Sequence, residues 1–160
     1  MYKLIVIAAA FFITSCGAQK YFVVRHAEKA SNQMVGDVPL SPEGAKQAIL
    51  LDKVLYGEHI RRIYSTNFMR TIGTVQPLSK HLGMPIEIYD ATKSKELAEQ
   101  ISKMKQNILV VGHSNTVDDI VNTLMNRQVM TDLPETEYGY IYLVKKKGKT
   151  LTFEKLPLAQ

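Results

Sequence analysis

The chain has 160 residues and a mass of 18.0 kDa, with 46% hydrophobic and 22% charged residues, which suits one globular domain and excludes collagen, coiled coil and low-complexity architectures. A single cysteine excludes an intrachain disulfide and a cysteine-based zinc cluster. The net charge of +5 would suit an anionic partner, but the cations are scattered and only 8% of residues are aromatic, with no Trp, so no nucleic-acid platform of interleaved cations and aromatics is expected.

In chain order, the first element is not part of the fold. Met1 to Lys3 carry one positive charge, and Leu4 to Ile13 form an apolar run of ten residues. Spanning a bilayer takes about 20 apolar residues, so the run is too short for that and fits the core of a signal peptide. Ile13-Thr14-Ser15-Cys16 follows and resembles the lipobox of bacterial lipoproteins, in which the cysteine is lipidated and becomes the new N-terminus. The division implied is a signal peptide at 1–15, a short tether at 16–20 and a domain at 21–160. Cleavage before Cys16 would remove Lys3 and no acid, leaving 19 basic against 15 acidic residues. The domain would be lipid-anchored in the cell envelope, facing the periplasm.

The remainder alternates strands and helices. Tyr21 to Arg25 reads as a buried strand, followed by a polar loop to Leu40. Ser41-Pro42-Glu43 starts a helix, with Ser as N-cap and Pro at its first position, running to about Tyr56 before Gly57. Ile60 to Ser65 is a second strand. A helix from about Asn67 to Leu82 ends at Gly83, and Pro77 within it is expected to kink or split it. Pro85 to Tyr89 is a short strand, Ser94 to Gln106 a helix and Ile108 to Val111 a buried strand. Asn115 to Asn126 is an amphipathic helix, and Tyr138 to Lys145 with Thr150 to Lys155 form a terminal hairpin. This order predicts an α/β fold of three layers, α/β/α, around a mostly parallel sheet.

In such sheets sites form at the carboxyl ends of the strands. Three strands end in polar loops: Arg25-His26-Ala27-Glu28, Ser65 to Thr71 and Gly112 to Thr116. They can bring Arg25, Arg70, His26 and His113 to one pocket, with helix N-termini near Asn67 and Ser114 aimed at it. Two guanidinium forks, two imidazoles and backbone N–H groups suit a tetrahedral dianion such as a phosphoryl group. His59 and His81 stand at helix ends with no motif around them and are taken as ordinary polar positions.

Val23-Val24-Arg25-His26-Ala27-Glu28 resembles the Arg-His-Gly/Ala-Glu signature of the histidine phosphatase superfamily, the phosphoglycerate mutase-like family. Leu40 to Gly44, Ser65 to Thr71 and Val110 to Thr116 resemble its first helix start, its second arginine motif and its second histidine motif, in the same order. The resemblance implies the phosphoglycerate mutase-like fold. It implies His26 as nucleophile, giving a phosphohistidine, with Arg25, Arg70 and a charged His113 binding the phosphoryl oxygens. Asn32 lies six residues past His26, where relatives often place an asparagine near the phosphate. No metal or other cofactor is implied.

An alkoxide leaving group needs a proton. Asp90, just past the third strand, is favoured as the acid because family members often take it from this region; Glu28 is the rival. Only 43 positions separate Arg70 from His113, which leaves little room for the insertions of mutases and argues for a phosphomonoester hydrolase acting on a small phosphorylated substrate. The alternatives are a mutase-like phosphotransferase and a lipoprotein that binds a phosphorylated ligand without turnover.

Overall fold

A computed structural model describes residues 17–31 and 36–158. The elements run β1 (Gln19–Arg25), α1 (Pro42–Leu55), β2 (Ile60–Ser65), α2 (Met69–Leu82), β3 (Ile86–Ile88), α3 (Ser94–Ser102), β4 (Asn107–Gly112), α4 (Val117–Met125), β5 (Tyr140–Lys147) and β6 (Thr150–Pro157). They form one six-stranded sheet in the order β3-β2-β4-β1-β5-β6. The first four strands in that order are parallel, and β5 and β6 are antiparallel to their neighbours.

Alternation along the central strands builds the three layers. Tyr21, Val23, Ile108, Val110, Tyr142 and Val144 face one side and pack on Leu97 and Ile101 of α3 and Ile120, Val121 and Leu124 of α4. Phe22, Val24, Leu109, Val111, Ile141 and Leu143 face the other and pack on Leu51 and Leu55 of α1 and Val75 and Leu78 of α2. The period of two explains why β1 and β4 read as unbroken apolar runs: both faces are covered. Each fully buried aliphatic side chain contributes about 1.5–3 kcal/mol.

Local signals set most boundaries. The Ser41 hydroxyl accepts the Gly44 N–H at 2.9 Å, capping α1. Gly83, at φ +62°, ends α2 in the left-handed conformation. Pro77 does not split α2, which continues from Met69 to Leu82. The proline removes one N–H, while buried Thr74, Val75 and Leu78 hold the helix against the sheet. α3 ends at Ser102 rather than Gln106. The next four residues are needed to reach β4, whose start is fixed when the Asn107 side chain accepts from Lys20 N–H and donates to Glu58 O. β1 begins at Gln19, so two residues expected in the tether are strand residues paired with Lys146 and Lys145. The signal-peptide run and Cys16 lie outside the described residues.

Candidate active site

β1 and β4 are adjacent and parallel, with Arg25 opposite Gly112, so the loops after them leave the sheet side by side. The His26 N–H extends the ladder by one bond, to Gly112 O at 2.9 Å. Gly112 must be glycine: a Cβ there would stand 2.7 Å from Thr116 Oγ1 and 3.1 Å from the Tyr89 hydroxyl. The Ala27 N–H donates to Thr74 Oγ1 at 2.8 Å, which ties the first loop to α2.

His26 is 4% exposed. Its Nδ1 lies 2.8 Å from the Ala27 carbonyl oxygen. A carbonyl only accepts, so Nδ1 carries the proton and the neutral ring keeps a lone pair on Nε2. Burial, with the charges of Arg25 and Arg70 beside it, lowers the His26 pKa to about 3. His26 meets His113 edge-on, with ring centroids 5.5 Å apart.

His113 Nε2 is 2.9 Å from Thr66 Oγ1, which lies 3.0 Å from Thr71 Oγ1. The Thr71 hydroxyl donates to the carbonyl of Thr66 or Phe68. If Nε2 donates to Thr66, every proton in this chain finds an acceptor. Burial first, then Arg70 and Arg25, lower the His113 pKa to about 4. The expectation of a charged His113 is therefore not met in the resting site: a buried ring beside two guanidinium groups sheds its proton.

Arg70, in the first turn of α2, stacks over the Phe68 ring at 4.4 Å and lies 3.8 Å from Asp37. Both Asp37 oxygens accept the Met69 N–H, at 2.8 and 3.0 Å, so that donor of the α2 N-terminus is already taken and does not face the pocket free. At the other expected N-terminus the Thr116 and Val117 N–H groups both return to the His113 carbonyl, so α4 begins at Val117 and residues 113–116 form a turn.

Arg25 is held by the loop between α4 and β5. Its Nη1 donates to the carbonyls of Pro134, Glu135 and Glu137 at 2.8–3.1 Å, and its Nη2 to Glu135 Oε2 at 3.0 Å. The guanidinium lies over the Tyr138 ring at 4.2 Å, and its buried Nε has no partner.

Arg25, His26, Arg70 and His113 line one cavity of about 280 Å³, together with Lys29, Phe68, Ala91, Ser114, Asn115 and Glu135. Neither predicted acid is in this lining. The Asp90 carboxylate is exposed and turned onto its own chain, where Oδ1 accepts the Thr92 N–H at 2.9 Å and the Thr92 hydroxyl at 2.8 Å. These bonds cap a 3-10 turn and hold the Asp90 pKa below the ordinary carboxylate value. Glu28 accepts from the Ser41 hydroxyl at 2.7 Å, and its carbonyl is packed so tightly on Gly44 that a Cβ there would lie 2.0 Å away. Glu28 thus holds the start of α1. Asn32 lies outside the described residues.

Sequence reasoning missed Glu135, the one carboxylate among the described lining residues. Ser114 donates to its Oε1 at 2.6 Å while Arg25 holds Oε2. The Ser114 hydrogen bond foremost, then Arg25 and Lys29, keep its pKa below the ordinary value. Lys29 was also missed, though its place three residues past His26 could have flagged it. Among the described residues no group of three or more His, Cys, Asp or Glu side chains could hold a metal.

Residues 21–93 match the model of the histidine phosphatase superfamily, branch 1. A comparison with curated proteins yields no sequence match. Among solved structures, the protein histidine phosphatase SixA in complex with tungstate is 20% identical, with TM-score 0.67, covering 88% of this chain and 97% of its own. Phosphoserine phosphatase from Entamoeba histolytica, in complex with 3-phosphoglyceric acid, is 14% identical, with TM-score 0.67 and coverage of 87% and 96%. A mycobacterial glucosyl-3-phosphoglycerate phosphatase is 13% identical, with TM-score 0.64 and coverage of 90% and 100%. Over residues 21–93 the sequence, and over most of its length the fold, are thus similar to those of the histidine phosphatase superfamily.

Proposed function

We propose that the chain is a phosphomonoester hydrolase that works through a phosphohistidine at His26. The observation that carries this reading is the Nδ1–H bond to the Ala27 carbonyl, which reserves Nε2 as a nucleophile in a pocket bearing two guanidinium groups. Nε2 attacks phosphorus and the bond to the ester oxygen breaks. Arg70 and Arg25 hold the oxygens on which charge builds, and His113 joins them as a donor once the bound dianion draws a second proton onto its ring, in a buried site where such contacts act strongly. Water then attacks phosphorus, the P–N bond breaks, and phosphate leaves with His26 restored to its neutral tautomer.

Glu135 serves as proton donor in this scheme. At rest it occupies Arg25. A phosphoryl dianion competes for the same guanidinium, and the displaced carboxylate loses a cation that keeps it ionised. Protonated, it donates to the leaving oxygen, and the carboxylate left behind then takes the proton of the attacking water. The tungstate, 3-phosphoglycerate and glucosyl-3-phosphoglycerate in the neighbours' descriptions support an anionic, phosphorylated small molecule as the ligand here.

The N-terminal segment completes the proposal: Cys16 carries lipid, and the domain is tethered to the bacterial envelope. Phosphate release from p-nitrophenyl phosphate and from glycerol phosphate tests the activity. The expected result is turnover that His26→Ala abolishes; binding of both substrates with no release by the parent would leave only a phospho-ligand receptor.

A further inference from the structure

A cavity of about 630 Å³ lies not at the candidate active site but at the opposite edge, where the parallel strands begin. Gly17 at the head of β1, Arg61 of β2, Lys103 and Lys105 between α3 and β4, and Lys146 at the end of β5 line it. The register brings them together: Gln19 pairs with Lys146, and Ile60 with Asn107. No carboxylate is in the lining. The nearby Glu58 is paired with Lys20. Arg61, Lys103 and Lys105 take part in none of the ion pairs among the described residues. The exposed tip of the last hairpin adds Lys147 and Lys149.

The other edge is mixed in sign: Arg25, Lys29 and Arg70 share its cavity with Glu135. Residues 113–139 contain Asp118, Asp119, Asp132, Glu135 and Glu137 against Arg127 alone. Six-residue β4, at about 3.3 Å per residue, separates the two edges by roughly 20 Å. That is more than twice the screening length of about 8 Å at physiological salt, so the basic edge does little for the phosphoryl pocket and needs its own explanation.

The chain itself indicates what meets this edge. Gly17 lines the cavity, and the residue before it is Cys16, preceded by the apolar run Leu4 to Ile13. An apolar segment emerging beside a rim of unpaired cations matches a lipid interface with anionic headgroups. We propose that the amino edge of the sheet is a docking face for anionic phospholipid, which turns the candidate active site toward the aqueous side. The orientation rests on the membrane-anchored reading of the N-terminus; the charge preference does not require acylation of Cys16.

The test uses the full chain carrying Cys16→Ser, so that acylation plays no part, in flotation with vesicles of phosphatidylcholine alone or mixed with phosphatidylglycerol. Each cation at an anionic surface is worth about a fivefold change in binding. Arg61→Gln, Lys103→Gln and Lys105→Gln together should weaken binding to the mixed vesicles about 100-fold, leave binding to phosphatidylcholine unchanged, and preserve p-nitrophenyl phosphate turnover. Should that variant lose its thermal transition, Lys147→Gln with Lys149→Gln at the exposed tip replaces it, with a loss of about 25-fold. Equal binding of the parent to both vesicles would overturn the proposal. So would displacement by millimolar glycerol phosphate, which would make the cavity a small-anion site, or tighter binding of an oligonucleotide than of the mixed vesicles. Acylation is read separately, as the mass added to the parent at Cys16, so its absence would sink the anchor without touching the charge preference.

Discussion

At the carboxyl edge of the sheet the arginines are engaged: buried Arg25 on Glu135 and three carbonyls, half-buried Arg70 on Phe68 and beside Asp37. At the amino edge Arg61, Lys103 and Lys105 line an open cavity with no carboxylate among its walls. The two edges hold similar residue types and differ in dielectric surroundings. A guanidinium out of water acts strongly on its neighbours, and after burial itself the guanidinium groups lower both histidine pKa values. A solvated lysine is screened and acts only in numbers. The lesson is that the chemistry belongs to the buried edge and the long-range charge to the open one.

Substitutions should sort by edge. The largest effect is expected at His26: His26→Ala should lower kcat on the order of 10³-fold or more, with the melting transition kept, because it removes the proposed nucleophile itself. Glu135→Gln comes next and separates substrates. General acid catalysis is worth about 10²–10⁴-fold, so glycerol phosphate should suffer that loss. p-Nitrophenyl phosphate, whose leaving group is a weak base, should suffer little. Equal slowing of both would remove Glu135 as the acid. Arg70→Met should cost about 10²–10³-fold in kcat on both substrates, as expected for a donor to transition-state oxygens. Asp90→Asn, at the rim, should stay within about twofold on both, since it removes a surface cap rather than a pocket group. A loss of 10²-fold on glycerol phosphate alone would return the acid to Asp90.

A separate expectation concerns stability. Unfolded imidazoles take up protons near pH 6.5, whereas folded His26 and His113 resist to about 3 and 4. Between those values the unfolded state binds more protons, so stability falls as pH drops below about 6.5. Denaturant titrations at pH 7 and pH 5 should show this, and His26→Asn should reduce the proton uptake on unfolding by about one. An unchanged uptake would mean that His26 is already charged in the fold.

What could be read from sequence follows the same division. Arg25, His26 and His113 end strands or follow them directly, and Arg70 is in the first turn of the next helix, so strand order alone converges them. Glu135 arrives through an irregular stretch with no periodicity. Its position depends on Asn122, which bonds Val129 and Met130, and on Leu133 N–H to Ser114 O, contacts with no local signature. Asp90 misled because a strand-end position does not tell whether a carboxylate turns inward or caps its own turn. A charged His113 followed from counting ligands for a dianion without the cost of burying three cations together.

The central claim is transfer of the phosphoryl group to His26. Rapid quench of the parent with radiolabelled substrate, followed by peptide mapping, tests it most directly. An acid-labile, base-stable label should form before the first turnover ends, map to the peptide holding Arg25-His26-Ala27, and disappear in His26→Ala. Turnover at full rate with no label on that peptide, or with the label on His113, would contradict it.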